Sequence, residues 1–358
     1  MADAENTPPA TTSESSSLSI SRVGAIVIPI AVVLVGIWLY QKNQPAATKK
    51  KLESDQLSRL LAQSDREPLE GWTDSDGDLL PDAPPADEGV APEKLVFSYV
   101  ASKEPSETEL QAWQPFLDAL AEKTGLPTEA TQYETVPKQL SAMAAGELHV
   151  TAFNTGAVPS AVTTAGFIPV CTLGSADGFG YKMKLLVKAD SEIQDTADLK
   201  GKRVMFVRPN SNSGFKAAFS YLMNEQQMLA GRDYEYGFSM GHDLSIKELL
   251  AGHADAAPVA SDLFDRLVKS GEVSADAIRV IYESNTFPPV ALGYAYNLKP
   301  ELRDTIKQTF LDFTWEGTPL AESYGASGRD RFVPVDYKTD WEIVRDIDEQ
   351  LETLRKAQ

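Results

Sequence analysis

Hydrophobic positions beyond residue 93 switch repeatedly between two periods. Lys94–Val100 (KLVFSYV) is a short, β-rich apolar run. From Thr108 to Thr124, Leu110, Trp113, Phe116, Leu117 and Leu120 recur at helical spacing until Gly125 ends the series. The order then repeats, with Thr128–Gln132 as a second strand, Val136–Ala145 as a helix closed by Gly146, and His149–Phe153 as a third strand. Further on come Tyr181–Lys188 (YKMKLLVK), Lys202–Val207 (KRVMFV), a helix from about Ser213 to Met228, and the strand-like Asp255–Val259. Strands alternating with helices predict an α/β fold with largely parallel sheets. The globular part is long for a single sheet, so two similar lobes fit better.

The first 92 residues follow a different pattern. Residues 1–22 are rich in Ser, Thr, Pro and Ala, lack apolar periodicity, and read as a disordered tail. Residues 23–40 (VGAIVIPIAVVLVGIWLY) carry no charge, lie between Arg22 and Lys42, and end in the Trp38/Tyr40 pair expected at a membrane interface. They predict a transmembrane anchor. A cleaved signal peptide is the alternative, but its polar leading region would be long and no small-x-small site follows directly. Arg22 precedes the span while Lys42, Lys49, Lys50 and Lys51 follow it, which by charge alone places the C-terminal bulk in the cytoplasm. Large domains translocate against such a bias, so charge leaves the orientation open.

Residues 41–92 read as a stalk. It opens with an amphipathic stretch (Leu52, Leu57, Leu60, Leu61) and runs into an acidic loop at 74–82. There Asp74, Asp76, Asp78 and Asp82 surround Gly77, and carboxylates at alternate positions can converge on one hard cation, so a calcium ion is the expected ligand. The stretch resembles the short calcium-binding repeats of thrombospondin type 3 modules. It is a single copy with no closing bidentate Glu, and a solvated acidic linker is the plain alternative. No other cofactor is expected.

Composition narrows the function. The chain has 358 residues, 42% of them hydrophobic, which is enough to bury a core and excludes wholesale disorder. Its net charge is −19, and the excess is not confined to the stalk: residues 1–90 hold 14 acids and 7 bases, residues 91–358 hold 38 and 26. Such a chain is repelled by nucleic-acid phosphates. Its single cysteine, Cys171, can build neither an intramolecular disulfide nor a cysteine-type zinc site.

The most informative segment is Arg208-Pro-Asn-Ser-Asn-Ser-Gly-Phe215, which stands between an apolar strand and a helical pattern. Free N–H groups at the start of that helix, with the Ser211 and Ser213 hydroxyls and the Asn212 amide, can cradle a tetrahedral oxyanion without a cationic side chain. Ser and Asn before a helix are also ordinary N-caps.

The segment 209–215, the Tyr181 strand with Asp198-Leu-Lys-Gly-Lys-Arg203, Gly241-His242 and Asp255-Ala-Ala257 together resemble the PhnD-like phosphate, phosphite and phosphonate substrate-binding proteins of ABC transporters. The resemblance covers about residues 94–345. It implies a two-lobed type II periplasmic-binding-protein fold, each lobe a mixed, mostly parallel sheet flanked by helices. Lobe 1 would comprise 93–189 and 286–358 and lobe 2 190–285, with the chain crossing near 189 and 285.

Carried over residue by residue, the resemblance places Ser211, Asn212, Ser213 and Gly214 in the oxyanion loop, with Asn212 where the family has Thr. Tyr133 and Tyr181 would line the cleft, and His242 would reach the oxyanion. Asp262, or its neighbour Ser261 in a register one residue earlier, would occupy one of two acidic positions that hold an ammonium group in members taking aminoalkyl phosphonates. The other position falls at Val290 or Ala291, so the two-sided clamp is incomplete. Asn154 and Thr155 depart from the family pattern at the third strand, which either adds polar donors near the oxyanion or reflects a different turn. His149 and His253 have no counterpart and read as structural.

The implied function is capture of a phosphonate, phosphate or phosphite by hinge closure and delivery to an ABC permease. The protein would be a monomer at the inner membrane, with its binding domain on the outer side. A sensor signalling to a membrane partner is the alternative. A hydrolase built on His242, Asp243 and Ser211 or Ser213 lacks the surrounding motif, and no enzymatic activity is expected.

Overall fold

The structure, a computed structural model, describes residues 68–102 and 107–356. The expected tail and anchor at 1–40 lie outside the described residues, and among those described no helix is long and apolar enough to cross a membrane.

The first apolar run forms β1 (Leu95–Ser98), buried at every position, as a strand covered on both faces must be. The helical pattern after it splits into α1 (Glu107–Ala112) and α2 (Gln114–Thr124). Pro115 sits in the first turn of α2, where its missing N–H costs nothing, but it could not continue a preceding helix. Then follow β2 (Thr128–Ala130), α3 (Val136–Ala144), β3 (Val150–Phe153), α4 (Val158–Ala165), β4 (Phe167–Gly174) and β5 (Tyr181–Lys188). Next come β6 (Arg203–Phe206), a π-helical turn (Asn212–Lys216) continued by α5 (Ala217–Asn224), β7 (Glu235–Phe238), α6 (His242–Leu250), β8 (Ala257–Ala260), α7 (Ser261–Lys269) and β9 (Ile278–Phe287). The chain closes with β10 (Ala291–Ala295), α8 (Pro300–Asp312), α9 (Pro319–Gly325), β11 (Arg331–Pro334), α10 (Tyr337–Asp340) and α11 (Glu342–Lys356).

Two lobes result. In lobe 1 a six-stranded sheet has the order β11-β4-β10-β3-β1-β2, with β1 parallel to β2 and β3, and β10 antiparallel to both β3 and β4. Gly293 on β10 is needed there, because a Cβ would lie 1.8 Å from the Ile168 carbonyl. Buried aromatic rings, including Trp113, Phe116, Phe310, Phe332 and Trp315, pack the core beneath the sheet. Lobe 2 holds the sheet β8-β5-β9 and the parallel pair β6-β7, joined by a bridge from Val204 to Ala256.

Three expectations change. First, β5 pairs antiparallel with β8 and β9, so it belongs to lobe 2. The chain therefore crosses between Gly174 and Tyr181, not near 189, and crosses back at residues 288–290, not near 285. Apolar periodicity identifies a buried strand but not the sheet that buries it. Second, the main sheet of lobe 2 is antiparallel, because strands that lie far apart in the chain pair with β5. Third, residues 68–92 of the expected stalk pack on lobe 1. The Leu69 N–H donates to Thr163 O at 2.8 Å, Val90 exchanges backbone hydrogen bonds with Asn297 and Lys299 at 2.8 and 3.0 Å, and Leu79 and Leu80 rest against the core.

Candidate ligand-binding site

The site begins where β6 ends. The Val207 N–H donates to Gly214 O at 2.9 Å and the Met240 N–H to Val207 O at 2.8 Å, which pins the loop 207–214 to the strand end. The Ser211 hydroxyl accepts from the Gly214 N–H at 3.1 Å, so this side chain is the N-cap that its residue type predicts. The Asn212 and Ser213 N–H groups follow in the first turn, where helix geometry offers them no carbonyl. Ser211, Asn212 and Ser213 are buried, at 5%, 2% and 2% exposure. Polar side chains removed from water to this degree need partners.

Part of that partnership comes from Tyr181, the first residue of β5. The Asn212 Nδ2 donates to its hydroxyl at 3.4 Å, and the Thr155 and Ser213 side chains lie close enough to act on the phenol. Burial pushes the Tyr181 phenol up, so it remains a neutral donor. The Thr155 hydroxyl donates to the carbonyls of Pro288 (2.9 Å) and Pro289 (3.1 Å), where the chain returns to lobe 1. The Trp341 indole N–H in turn holds the Thr155 carbonyl at 3.2 Å. Asn154 joins the lobes, donating from Nδ2 to Asn210 O at 3.2 Å. Gly156 permits this approach: a Cβ would stand 2.7 Å from Asn210 O and 2.8 Å from Asn212 N.

Two polar atoms are left over. The Oδ1 atoms of Asn154 and Asn212 are buried without a hydrogen-bond partner. Because the two ends of an amide have nearly the same shape, Asn212 can turn its NH2 group to an incoming anion while the Tyr181 hydroxyl donates to its Oδ1; Asn154 cannot, since its Nδ2 is held by the Asn210 carbonyl. A ligand hydroxyl, such as a protonated phosphoryl oxygen, would satisfy these acceptors as they stand, while a ligand's anionic oxygens would meet the Asn212 and Ser213 N–H groups.

His242, the first residue of α6, closes the arrangement. Its Nδ1 accepts the Ala260 N–H at 3.2 Å, which puts the ring proton on Nε2. Burial pulls the imidazole down to about 4; Arg208 lowers it further, while Asp262 and Asp243 oppose the shift. At neutral pH the ring is an uncharged donor. A histidine depressed in the fold contributes stability that is present above its unfolded value of about 6.5 and is lost as the pH falls toward 4. The ligand-free protein is therefore expected to lose melting temperature between pH 6.5 and 4 more steeply than a His242→Asn variant. Parallel profiles in a thermal melt across that range would contradict the burial.

The other predicted residues divide. Asp262, the second residue of α7, is near His242 and Tyr181, but its carboxylate is paired with Arg329 from the loop between α9 and β11. Tyr133 lies between β2 and α3, half-buried against the lobe 1 core, and no hydrogen bond among the described residues joins its side chain to the cradle. His149 is structural, with its Nδ1 accepting the Val96 N–H at 3.0 Å. His253 is exposed and bonds Glu248 at 3.0 Å. In the acidic loop, Asp74, Asp76 and Asp78 bring oxygens within 4.8 Å of one another, whereas Asp82 accepts from the N–H and hydroxyl of Ser75. Three carboxylates are a partial set for a calcium ion, which takes six to eight oxygens.

Sequence reasoning missed Arg208, Arg329 and Lys216. Arg208 stood inside the segment singled out, but an Arg at a loop start reads as solvated. Arg329 and Lys216 matter through partners remote in the chain, and local pattern carries no sign of them.

Two mixed α/β lobes, two chain crossings and a buried polar cradle between them define a periplasmic-binding-protein fold. A model of the family described as ABC transporter, phosphonate, periplasmic substrate-binding protein matches residues 98–341, and the chain belongs to that family. It is 24% identical over 230 residues to the phosphate-import protein PhnD of Mycolicibacterium smegmatis, spanning 61% of this chain and 71% of the relative. It is also 24% identical over 226 residues to the phosphonates-binding periplasmic protein of Escherichia coli (62% and 67%). Among solved structures, PhnD1 of Prochlorococcus marinus in complex with methylphosphonate superposes with a TM-score of 0.62 at 14% identity, over 73% of this chain and 99% of that one. A binding-protein component of a Pseudomonas aeruginosa phosphonate transporter gives 0.59 at 18%, over 74% and 98%.

Proposed function

We propose that this substrate-binding protein captures a small tetrahedral oxyanion, a phosphonate, phosphate or phosphite, between its lobes and delivers it to an ABC permease. The observation that carries this reading is the buried cradle of Asn212, Ser213, Tyr181 and Thr155 at a helix start, whose first N–H groups have no intrahelical carbonyl. The acidity of the chain does not oppose it. Fields from distant charges are screened within about 8–10 Å at physiological salt, while helix N–H groups and hydroxyls would touch the ligand directly.

Closure is supported by contacts between the lobes: Asn154 to Asn210 at the cradle, Arg329 with Asp262, and the Lys269 ammonium donating to Ala326 O at 3.3 Å. Binding between closed lobes removes the ligand from water and strengthens each hydrogen bond. Binding is favoured over hydrolysis because His242 Nδ1 is taken by the Ala260 N–H and its Nε2 carries the ring proton, so the imidazole offers neither serine a free lone pair as a base. In this reading residues 23–40 anchor the chain, with the binding lobes outside the cytoplasmic membrane.

The purified protein is expected to gain melting temperature with at least one of phosphate, phosphite and methylphosphonate, and not with sulfate alone. Linkage gives about 2.7 kcal/mol of stabilisation at a hundredfold excess over Kd. A thermal-shift screen with no response to any of them would sink the proposal.

A further inference from the structure

The charges around the cradle do not balance. Asp262 pairs with Arg329, and Asp243 pairs with Lys247 at 3.3 Å. Glu109 stands beside Tyr99 and Tyr324. Arg208 has no such partner: among the described residues, no hydrogen bond or ion pair engages its guanidinium. Yet it occupies the start of the cradle loop, where Val207 is tied to Gly214 and Met240 and the Arg208 carbonyl takes the Ser211 N–H at 3.0 Å. It is only partly exposed, its charge is desolvated, and it lies close enough to His242 to act on that ring. A guanidinium taken partly out of water without a counter-ion is unfavourable unless an anion arrives.

We infer that Arg208 is an anion-binding residue of this cleft, and that the ligand carries an anionic substituent, such as a carboxylate or a second phosphoryl group, beside its tetrahedral head. The inference rests on the oxyanion reading of the site and narrows it. The cradle takes the tetrahedral group through neutral donors, and Arg208 offers a planar fork matched to a carboxylate or phosphoryl edge. Among the described residues, the acids nearest His242 are already paired, Asp262 with Arg329 and Asp243 with Lys247, so a cationic substituent would meet an unopposed Arg208.

The test measures Kd by calorimetry for methylphosphonate, phosphonoacetate and aminomethylphosphonate with the full-length protein. Phosphonoacetate is expected to bind at least about tenfold more tightly than aminomethylphosphonate, as a charge-assisted bond to Arg208 implies. In Arg208→Gln that preference is expected to shrink to less than about threefold. In Arg329→Gln, which frees Asp262, aminomethylphosphonate should gain on phosphonoacetate. Each comparison is a ratio within one protein, so a general loss of stability does not imitate it. Equal or reversed preference in the natural protein, or an unchanged ratio in Arg208→Gln, overturns the inference while leaving oxyanion binding intact. No binding of any of the three overturns both.

Discussion

Replacing Lys216 by alanine is expected to lower stability by about 3 kcal/mol, the low end of the range for breaking a buried ion pair. Lys216 leaves the π-helical turn of lobe 2 and donates to Gly156 O, in lobe 1, at 2.6 Å. Its ammonium also meets Asp348 of α11, at 2.7 Å to Oδ1 and 2.9 Å to Oδ2. The two side chains are 8% and 25% exposed, and the quarter of Asp348 still in contact with water argues for the lower figure. Burial pushes the Asp348 carboxyl up and Lys216 holds it down. Without the lysine, an ionised carboxylate would remain in a poorly solvated place.

The loss should read as a fall in melting temperature of roughly 6–12 °C for a domain of this size. Because an acid whose folded pKa is raised destabilises only when ionised, the gap between variant and natural protein should narrow as the pH falls toward 4. A double replacement, Lys216→Met with Asp348→Leu, should recover most of the loss by removing both charges. A change below about 0.5 kcal/mol in Lys216→Ala would mean the pair behaves like one on the surface.

The same lysine shows how far local sequence reaches. The β5 run was legible to the residue, and α3 to within one, because burial imposes a period that apolar side chains display directly. The place of the Ser-Asn-Ser loop was legible too, since such a run between a strand and a helix has few places to go. What remained hidden depends on chain segments that meet only after folding. Lys216 reads as the solvated cation of an early helix turn, and its partner Asp348 is one of several acids on the polar face of α11. Trp72, Leu79 and Leu80 were submerged in an acidic, Pro-rich context and read as linker, although the last two pack on the lobe 1 core. Asp262 was found, but that Arg329 neutralises it follows only from the α9–β11 loop reaching across the cleft mouth.

Replacing Ser213 by alanine should weaken oxyanion binding by about 1.5–3 kcal/mol, the range for a hydrogen bond to a charged partner, or about ten- to 150-fold in Kd. The prediction depends on a division of labour within three adjacent residues. The Ser211 hydroxyl accepts the Gly214 N–H, so Ser211→Ala should lower stability by about 1 kcal/mol as for other N-caps, a cost that Ser213→Ala lacks. Ser213 has no capping bond to lose, and its hydroxyl lies beside Tyr181, itself a neutral donor. Removing the Ser213 hydroxyl leaves the turn intact and takes one donor from the ligand. Calorimetric titration of the two variants against the ligand found by thermal shift separates the roles. If Ser213→Ala binds like the natural protein while Ser211→Ala does not, the capping hydroxyl is the one that meets the ligand, and the cradle is centred one turn position earlier than the geometry places it.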